Sequence, residues 1–285
     1  MMKKPCCISI LCFLSFTHIY IFALTLESDL NISNFPLKNN GEYRSVPNFG
    51  FSIALKEQIF PYFNVQLGFE RDAEIGNMLF AKLSYTSSII DLSLGPSLSM
   101  LNSVATLSDA FSSFTPGIFL GIHLNLNSGF IIGFSGSFAL DTIHAQKATA
   151  FIQSGYFNIG YRFPNLLAEL RACHKGKINV VDEEKSFFSI SDYGLYTETF
   201  YKPSRLKVPI NLIFRHIRYD SKKNIEYLKN YGNILFETGF KMVLNTDIEF
   251  GLLCGVSVYS FSLGDKEGGI SKFFFRSKAH VKFSF

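Results

Sequence analysis

The chain has 285 residues, enough for one domain, and its 27 Lys and Arg against 23 Asp and Glu leave a formal net charge of only +4. That balance excludes a nucleic-acid binder, which needs a strongly basic face. Hydrophobic residues make up 47% of the chain, led by 32 Phe with no Trp. No apolar run of the roughly 20 residues that a spanning helix requires follows residue 24, so a helical membrane bundle is excluded as well.

At the N-terminus, Lys3 and Lys4 precede a mostly apolar stretch from Cys6 to Leu24, with small Ala23 at the cleavage position. Residues 1–23 read as a signal peptide, with a signal anchor or a lipoprotein cysteine at Cys12 as alternatives. Its removal takes Lys3 and Lys4 and no acid, so the net charge falls from +4 to +2. Of five cysteines only Cys173 and Cys254 then remain. Strand alternation points them to opposite faces, which argues against a disulfide, and their spacing suits no metal. No cofactor is expected.

From residue 24 onward the chain alternates apolar and polar side chains, the period that puts successive residues on opposite faces of a sheet. Residues 24–33 set Leu24, Leu26, Leu30 and Ile32 against Thr25, Glu27, Asp29 and Asn31. Strands follow at 48–56, 62–70, 78–86 and 89–101, the last with Leu92 and Leu94 against Asp91 and Ser93. The clearest hairpin joins 116–126 to 129–141 at Asn127-Ser128. Segments 151–163 and 165–175 meet at Pro164, and a phase slip near Gly155 suggests a β-bulge. Further strands occupy 192–201, 206–219, 232–244, 247–263 and 270–285. The last sets Ala279, Val281, Phe283 and Phe285 against Lys278, His280, Lys282 and Ser284.

Connections at 34–47, 71–77, 102–115, 142–150, 176–191, 220–231 and 264–269 are the longer, polar ones. Those at 57–61, 87–88, 127–128, 164, 202–205 and 245–246 are short. Strict alternation of long and short connections is the habit of a closed antiparallel transmembrane barrel, in which one end carries loops and the other turns. The fold class predicted is all-β, one closed barrel over 24–285 with fourteen strands, or twelve if 24–33 or 192–201 is not a strand. A soluble sandwich is the competing fold; charged residues on the inner face of nearly every strand weigh against it. In a fourteen-strand barrel, 24–33 pairs with 270–285, and Glu27 and Asp29 face Lys278 and Lys282 across the closing seam.

The alternation aims Lys82, Asp91, Arg162, Arg171, Arg215, Glu237, Lys241, Glu249, Arg276 and Lys278 into the lumen as candidate pore-lining residues. Lys56, Lys207, Lys272 and Lys282 add to the inward bases, and Glu27, Asp29, Glu70, Asp141, Glu169 and Glu198 to the acids. Charges this numerous are costly in a dry core, so a wet interior is expected. Their near balance predicts weak ion selectivity. Catalytic signals are sparse, and no enzyme is expected. His216 projects toward lipid, where Ser260 and Ser262 share its level; an interfacial residue is the simpler reading than a Ser–His pair. His123 reads as lumen wall, and Cys173 and His174 as the solvated rim of the 176–191 loop. Asp182-Glu183-Glu184 reads as a solvated loop, and Gly264–Gly269 lacks the spacing of a phosphate loop.

The final strand, with Val281, Phe283 and the terminal aromatic Phe285, resembles the C-terminal assembly signal of bacterial outer-membrane β-barrels. In size and strand number the chain is similar to monomeric fourteen-stranded porins. That resemblance implies the bacterial outer membrane, contact with its lipid, delivery by the barrel-assembly machinery, and small solutes as partners, with a monomer favoured. The Phe, Ile, Asn and Ser usage is associated with AT-rich genomes such as those of spirochaetes. The function expected is a passive, weakly selective pore for small hydrophilic solutes. A surface-exposed structural or adhesin-type barrel with a closed lumen is the alternative, and a lipid-modifying enzyme a third.

Overall fold

A computed structural model describes residues 24–33, 48–72, 75–101, 115–139, 148–181, 184–201, 205–221, 229–244, 247–262 and 274–285. The signal-peptide reading falls on residues 1–23, outside these, as do Lys272, Asp141, Asp182, Glu183 and Gly264–Gly269. Fourteen strands follow one another: β1 Leu24–Ser33, β2 Asn48–Phe60, β3 Phe63–Arg71, β4 Gly76–Thr86, β5 Ile90–Leu101, β6 Thr115–Asn125 and β7 Phe130–Ala139. The second half comprises β8 Ala148–Arg162, β9 Leu166–Val181, β10 Glu184–Tyr201, β11 Leu206–Ser221, β12 Lys229–Val243, β13 Ile248–Ser262 and β14 Phe275–Ser284. Each pairs antiparallel with its chain neighbour, and β1 pairs with β14, which closes the ring. Closure leaves no strand edge unpaired, so the Phe-rich last strand has no aggregation-prone edge to present.

The register follows the alternation. Leu94, Phe134, Leu170 and Leu212 point outward and are exposed, Leu170 at 60%. Asn211 and Glu237, one residue out of phase, are buried inside. Turn chemistry fixes the phase at the β6–β7 hairpin, where the Gly129 N–H donates to the Leu126 carbonyl over 2.8 Å with Gly129 at φ 95°. Only glycine takes that conformation without strain. Pro96 has no N–H to give, and the β4–β5 ladder lapses between Leu94 and Ser97. There Gly95 lets the strands close up, since a Cβ would lie 1.8 Å from the Ala81 carbonyl oxygen.

Three sequence expectations need correction. Residues 176–191 are not a long loop: β9 runs to Val181, β10 begins at Glu184, and the two pair without interruption. Alternation is masked there because the inner face is apolar too, with Phe188 and Ile190 buried inside the lumen. No bulge occurs at Gly155, through which β8 pairs continuously with β7 and β9. The bulge that matters lies in β13 near Val258, where the β12–β13 register shifts between Ile234 and Leu235. It sets Val258 and Tyr259 both outward and turns Ser260 into the lumen, 2.8 Å from Ser257. Ser260 therefore cannot share the outward face of His216, and Ser262, paired with Tyr231, follows it in phase.

Candidate functional site

The lumen is built from inward-facing residues of all fourteen strands, and it is not uniform along its axis. Near the turn end, β1 and β14 line up Glu27 with Lys282 and Asp29 with His280. Lys282 Nζ lies 3.3 Å from Glu27 Oε1, Lys278 Nζ 3.1 Å from Asp29 Oδ2, and His280 Nδ1 2.8 Å from Asp29 Oδ1. Asp29 also accepts a hydrogen bond from Ser52 of β2, so one carboxylate ties three strands together at the seam.

Higher along the same side of the barrel, Arg215 of β11 grips Asp192 of β10 through two bonds of 2.7 Å. Arg276 of β14 reaches the same carboxylate at 3.2 Å and also bonds Glu237 of β12. Glu237, 1% exposed, takes a further bond from Asn211. A second cluster links Arg171 to Glu169 along β9, with Asn158 of β8 donating to Glu169 at 2.9 Å and the guanidinium lying over the Tyr196 ring. Lys241 pairs with Glu198 at 3.1 Å, and Lys82 sits between the rings of Phe80 and Phe119. Desolvated charges survive only when paired and hydrogen-bonded. Much of the interior is accordingly organised as ion-pair networks that link neighbouring strands.

Two contacts cross the lumen. Lys175 of β9 extends to Glu70 of β3 at 3.1 Å and to Asp72, just beyond it, at 2.6 Å. Asp72 accepts from the Ile75 N–H and donates its own N–H to the Gly76 carbonyl, so the end of β3 is tied to the start of β4. Ile75, directly before β4, is buried in one apolar cluster with Phe188, Ile190, Ile213, Ile217, Leu235 and Phe274. In a ring of fourteen, the β3–β4 connection stands opposite β10 and β11, so this cluster bridges the barrel across its width toward the loop end. Beside it is a cavity of about 690 Å³, lined among others by Asp29, Glu70, Tyr156, Lys175, Asp192 and Lys278.

The wall at β5–β8 has a different character. Ser97, Ser99, Thr115 and Ser137 are small, inward and buried, and Ser97 meets Ser137 at 3.1 Å. Small side chains let β5 and β8, three strands apart, come into contact. The barrel is thus pinched at one corner and roomy elsewhere.

No family model matches the sequence, and no curated protein matches it. Among solved structures, the chain is similar to a bacterial polysaccharide outer membrane secretin, at 11% identity over 92% of this chain and 98% of that one, with a TM-score of 0.49. It is similar to an outer membrane channel from Pseudomonas putida F1 at 9% identity, 92% and 95% coverage and a TM-score of 0.49. OmpT of Vibrio cholerae gives 7%, 92% and 97%, and 0.44. What decides the setting is the outward face. Around the closed ring it carries exposed Leu55, Leu67, Leu83, Leu94, Ile122, Phe134, Ile159, Leu170, Leu212 and Phe236, a surface that only lipid can cover. The chain is a transmembrane β-barrel.

Of the residues that alternation assigned to the lumen, Arg215, Glu237, Arg276 and Lys278 come together with Asp29 and Asp192 along the β10–β14 wall. Arg171 and Lys241 line the same cavity. Lys82 and Asp91 stand apart on the narrow side, where the barrel pairs Asp91 with Thr86 and His123. Arg162 and Glu249 sit at the turn end, Glu249 beside Lys282. Four functional side chains escaped sequence reading: Lys175, Asp72, Ile75 and Asp192. Lys175 and Asp192 flank the stretch mistaken for a loop. Nothing in a strand pattern reveals that Asp72 and Ile75 reach the opposite wall. Cys173 and His174, expected on a solvated rim, lie within β9, Cys173 lining the cavity and His174 on the outward face.

Proposed function

We propose that this barrel is a channel for small hydrophilic solutes that rests in a constricted state and opens when the 72–75 turn leaves the opposite wall. The observation that carries the reading is the crossing itself. The turn is a connection and not a wall strand, and it is held by one ion-pair set and one apolar contact. Permanent closure could be supplied by the wall strands alone. An apolar constriction also gates by excluding water, whereas the charges below it sustain hydration. Inward bases and acids nearly cancel, which supports weak selectivity between ions. Delivery by the barrel-assembly machinery and a monomeric state belong to the same proposal.

The competing reading is a surface barrel with a permanently closed lumen, favoured by the apolar cluster around Ile75. Liposome swelling with small sugars separates the two. The channel reading expects slow swelling with the wild-type barrel and at least a fivefold faster rate for Lys175→Ala combined with Ile75→Ser. Equal, negligible rates for both proteins would select the closed barrel.

A further inference from the structure

The ion pairs of the lumen are lopsided in what they show to a solute. The Lys241 side chain is 42% exposed and that of its partner Glu198 16%; Lys278 is 45% exposed and its partner Asp29 24%. Arg171 over Glu169 and Arg276 over Glu237 follow the same order. Among the described ion pairs only the buried Arg215–Asp192 pair reverses it. Formal charges nearly cancel, yet the groups within touching distance of a solute are mainly ammonium and guanidinium donors.

Three of these bases gather along one stretch of the cavity lining. Arg276 and Lys278 stand two residues apart on one face of β14, which at about 3.4 Å per residue sets their Cα atoms roughly 7 Å apart. Lys241 pairs with Gly251, and Gly251 with His280, the next inward position of β14 after Lys278. On the other flank, Lys278 pairs with Asn31 and Asn31 with Gly50. Gly50 and Gly251 both line the cavity and put no side chain into it, which leaves room beside Lys278 and Lys241.

The hydrogen-bonding capacity of the three bases is only partly spent. Among the described residues, Lys278 Nζ meets Asp29 and Lys241 Nζ meets Glu198, one contact each for a group with three donors. Arg276 uses Nε on Glu237 and Nη1 on Asp192, which leaves its Nη2 donors. A solute can therefore dock without displacing any of these carboxylates. Glu70 and Asp72, further round the cavity, are held by Lys175.

We infer that this stretch of the cavity binds an extended organic dianion, a solute with two carboxylates a few carbons apart. Charge-assisted bonds from ammonium and guanidinium groups are the strong contacts for carboxylate. Donors stationed at successive inward positions of one strand fit two separated anionic groups, whereas a compact anion reaches one of them. The inference names a solute class for the channel proposed above and rests on that reading only for passage, since binding requires none. Small-ion permeability follows the net charge and stays near balance.

The test is equilibrium dialysis of radiolabelled glutarate against the full barrel in neutral detergent at low ionic strength. Cadaverine, the dication of equal chain length, and inorganic phosphate are the comparison solutes. Dialysis is repeated on the barrel with Ile75→Ser and Lys175→Ala combined, so that closure by the bridge cannot hide the cavity. Glutarate should bind at least tenfold more tightly than cadaverine and at least threefold more tightly than phosphate. Lys278→Gln and Lys241→Gln should each weaken glutarate at least threefold, and Lys82→Gln, which removes a base from the narrow side, should not. Heat-modifiable gel migration reports folding. Should a Gln variant not fold, acylation of Lys278 and Lys241 in the wild type should slow at least threefold when glutarate is present, read by peptide mass spectrometry. No retention of glutarate by either barrel, equal binding of glutarate and cadaverine, or undiminished binding in the folded variants overturns the site, as does acylation that glutarate leaves unslowed. Phosphate bound as tightly as glutarate overturns the assignment to a dianion. Glutarate retained by barrels that never swell liposomes retires the channel and leaves the site standing; swelling without retention does the reverse.

Discussion

At the residue scale, the energetics concentrate in a few buried polar groups. Glu237 is the sharpest case, since Asn211 and Arg276 both lean on it. Glu237→Ala leaves Arg276 with only its longer contact to Asp192, and breaking a buried pair in this way costs about 3–5 kcal/mol. Urea unfolding of the refolded barrel should show a loss of that order; a change below 1 kcal/mol would mean that water already solvates the pair. Asn233 makes the opposite prediction. Its side chain is 0% exposed, and neither amide atom has a hydrogen-bond partner among the described residues. An unsatisfied buried polar group costs about 1–3 kcal/mol, so Asn233→Leu should raise stability in the same assay. Destabilisation by Asn233→Leu would show that the amide is in fact solvated.

At the element scale, strand identity and facing were legible because membrane barrels impose the period of two on both solvents, lipid outside and polar lumen inside. Leu92 and Leu94 fall outward, opposite Asp91 and Ser93, by that rule alone. The rule fails where the lumen itself turns apolar, as at Phe188 and Ile190, and where a bulge shifts parity, as at Val258. It also cannot see across the barrel: nothing local to Lys175 announces Glu70 and Asp72. The fourteen-strand count was legible from parity of the connections, although two connections at the loop end, 72–75 and 182–183, are short. Register makes two predictions. Phe134→Arg should cost about 2–4 kcal/mol near the bilayer middle and Ser135→Arg much less, measured by unfolding in lipid vesicles; equal costs would reverse the assigned faces. Cysteines replacing Glu27 and Lys282, with Cys173 and Cys254 removed, should crosslink on oxidation because the two residues are direct partners. Absence of a crosslink in the folded barrel would break the β1–β14 closure. Opposite charges across such a pair contribute only about 0.2–1 kcal/mol, so the seam specifies register more than it stabilises.

At the scale of the whole molecule, the barrel combines a lipid-facing exterior, ion-pair networks in the lumen and a bridge spanning its width. Near cancellation of inward charge predicts cation-to-anion permeability ratios within severalfold of unity in reversal-potential measurements; near-ideal exclusion of either sign would contradict it. The bridge carries the central claim, and single-channel recording in planar bilayers tests it most directly. With Ile75→Ser and Lys175→Ala combined, the barrel should pass a steady current several times that of the wild type, which itself should dwell in a low-conductance state. A wild type already fully open, or a variant indistinguishable from it, would contradict the account.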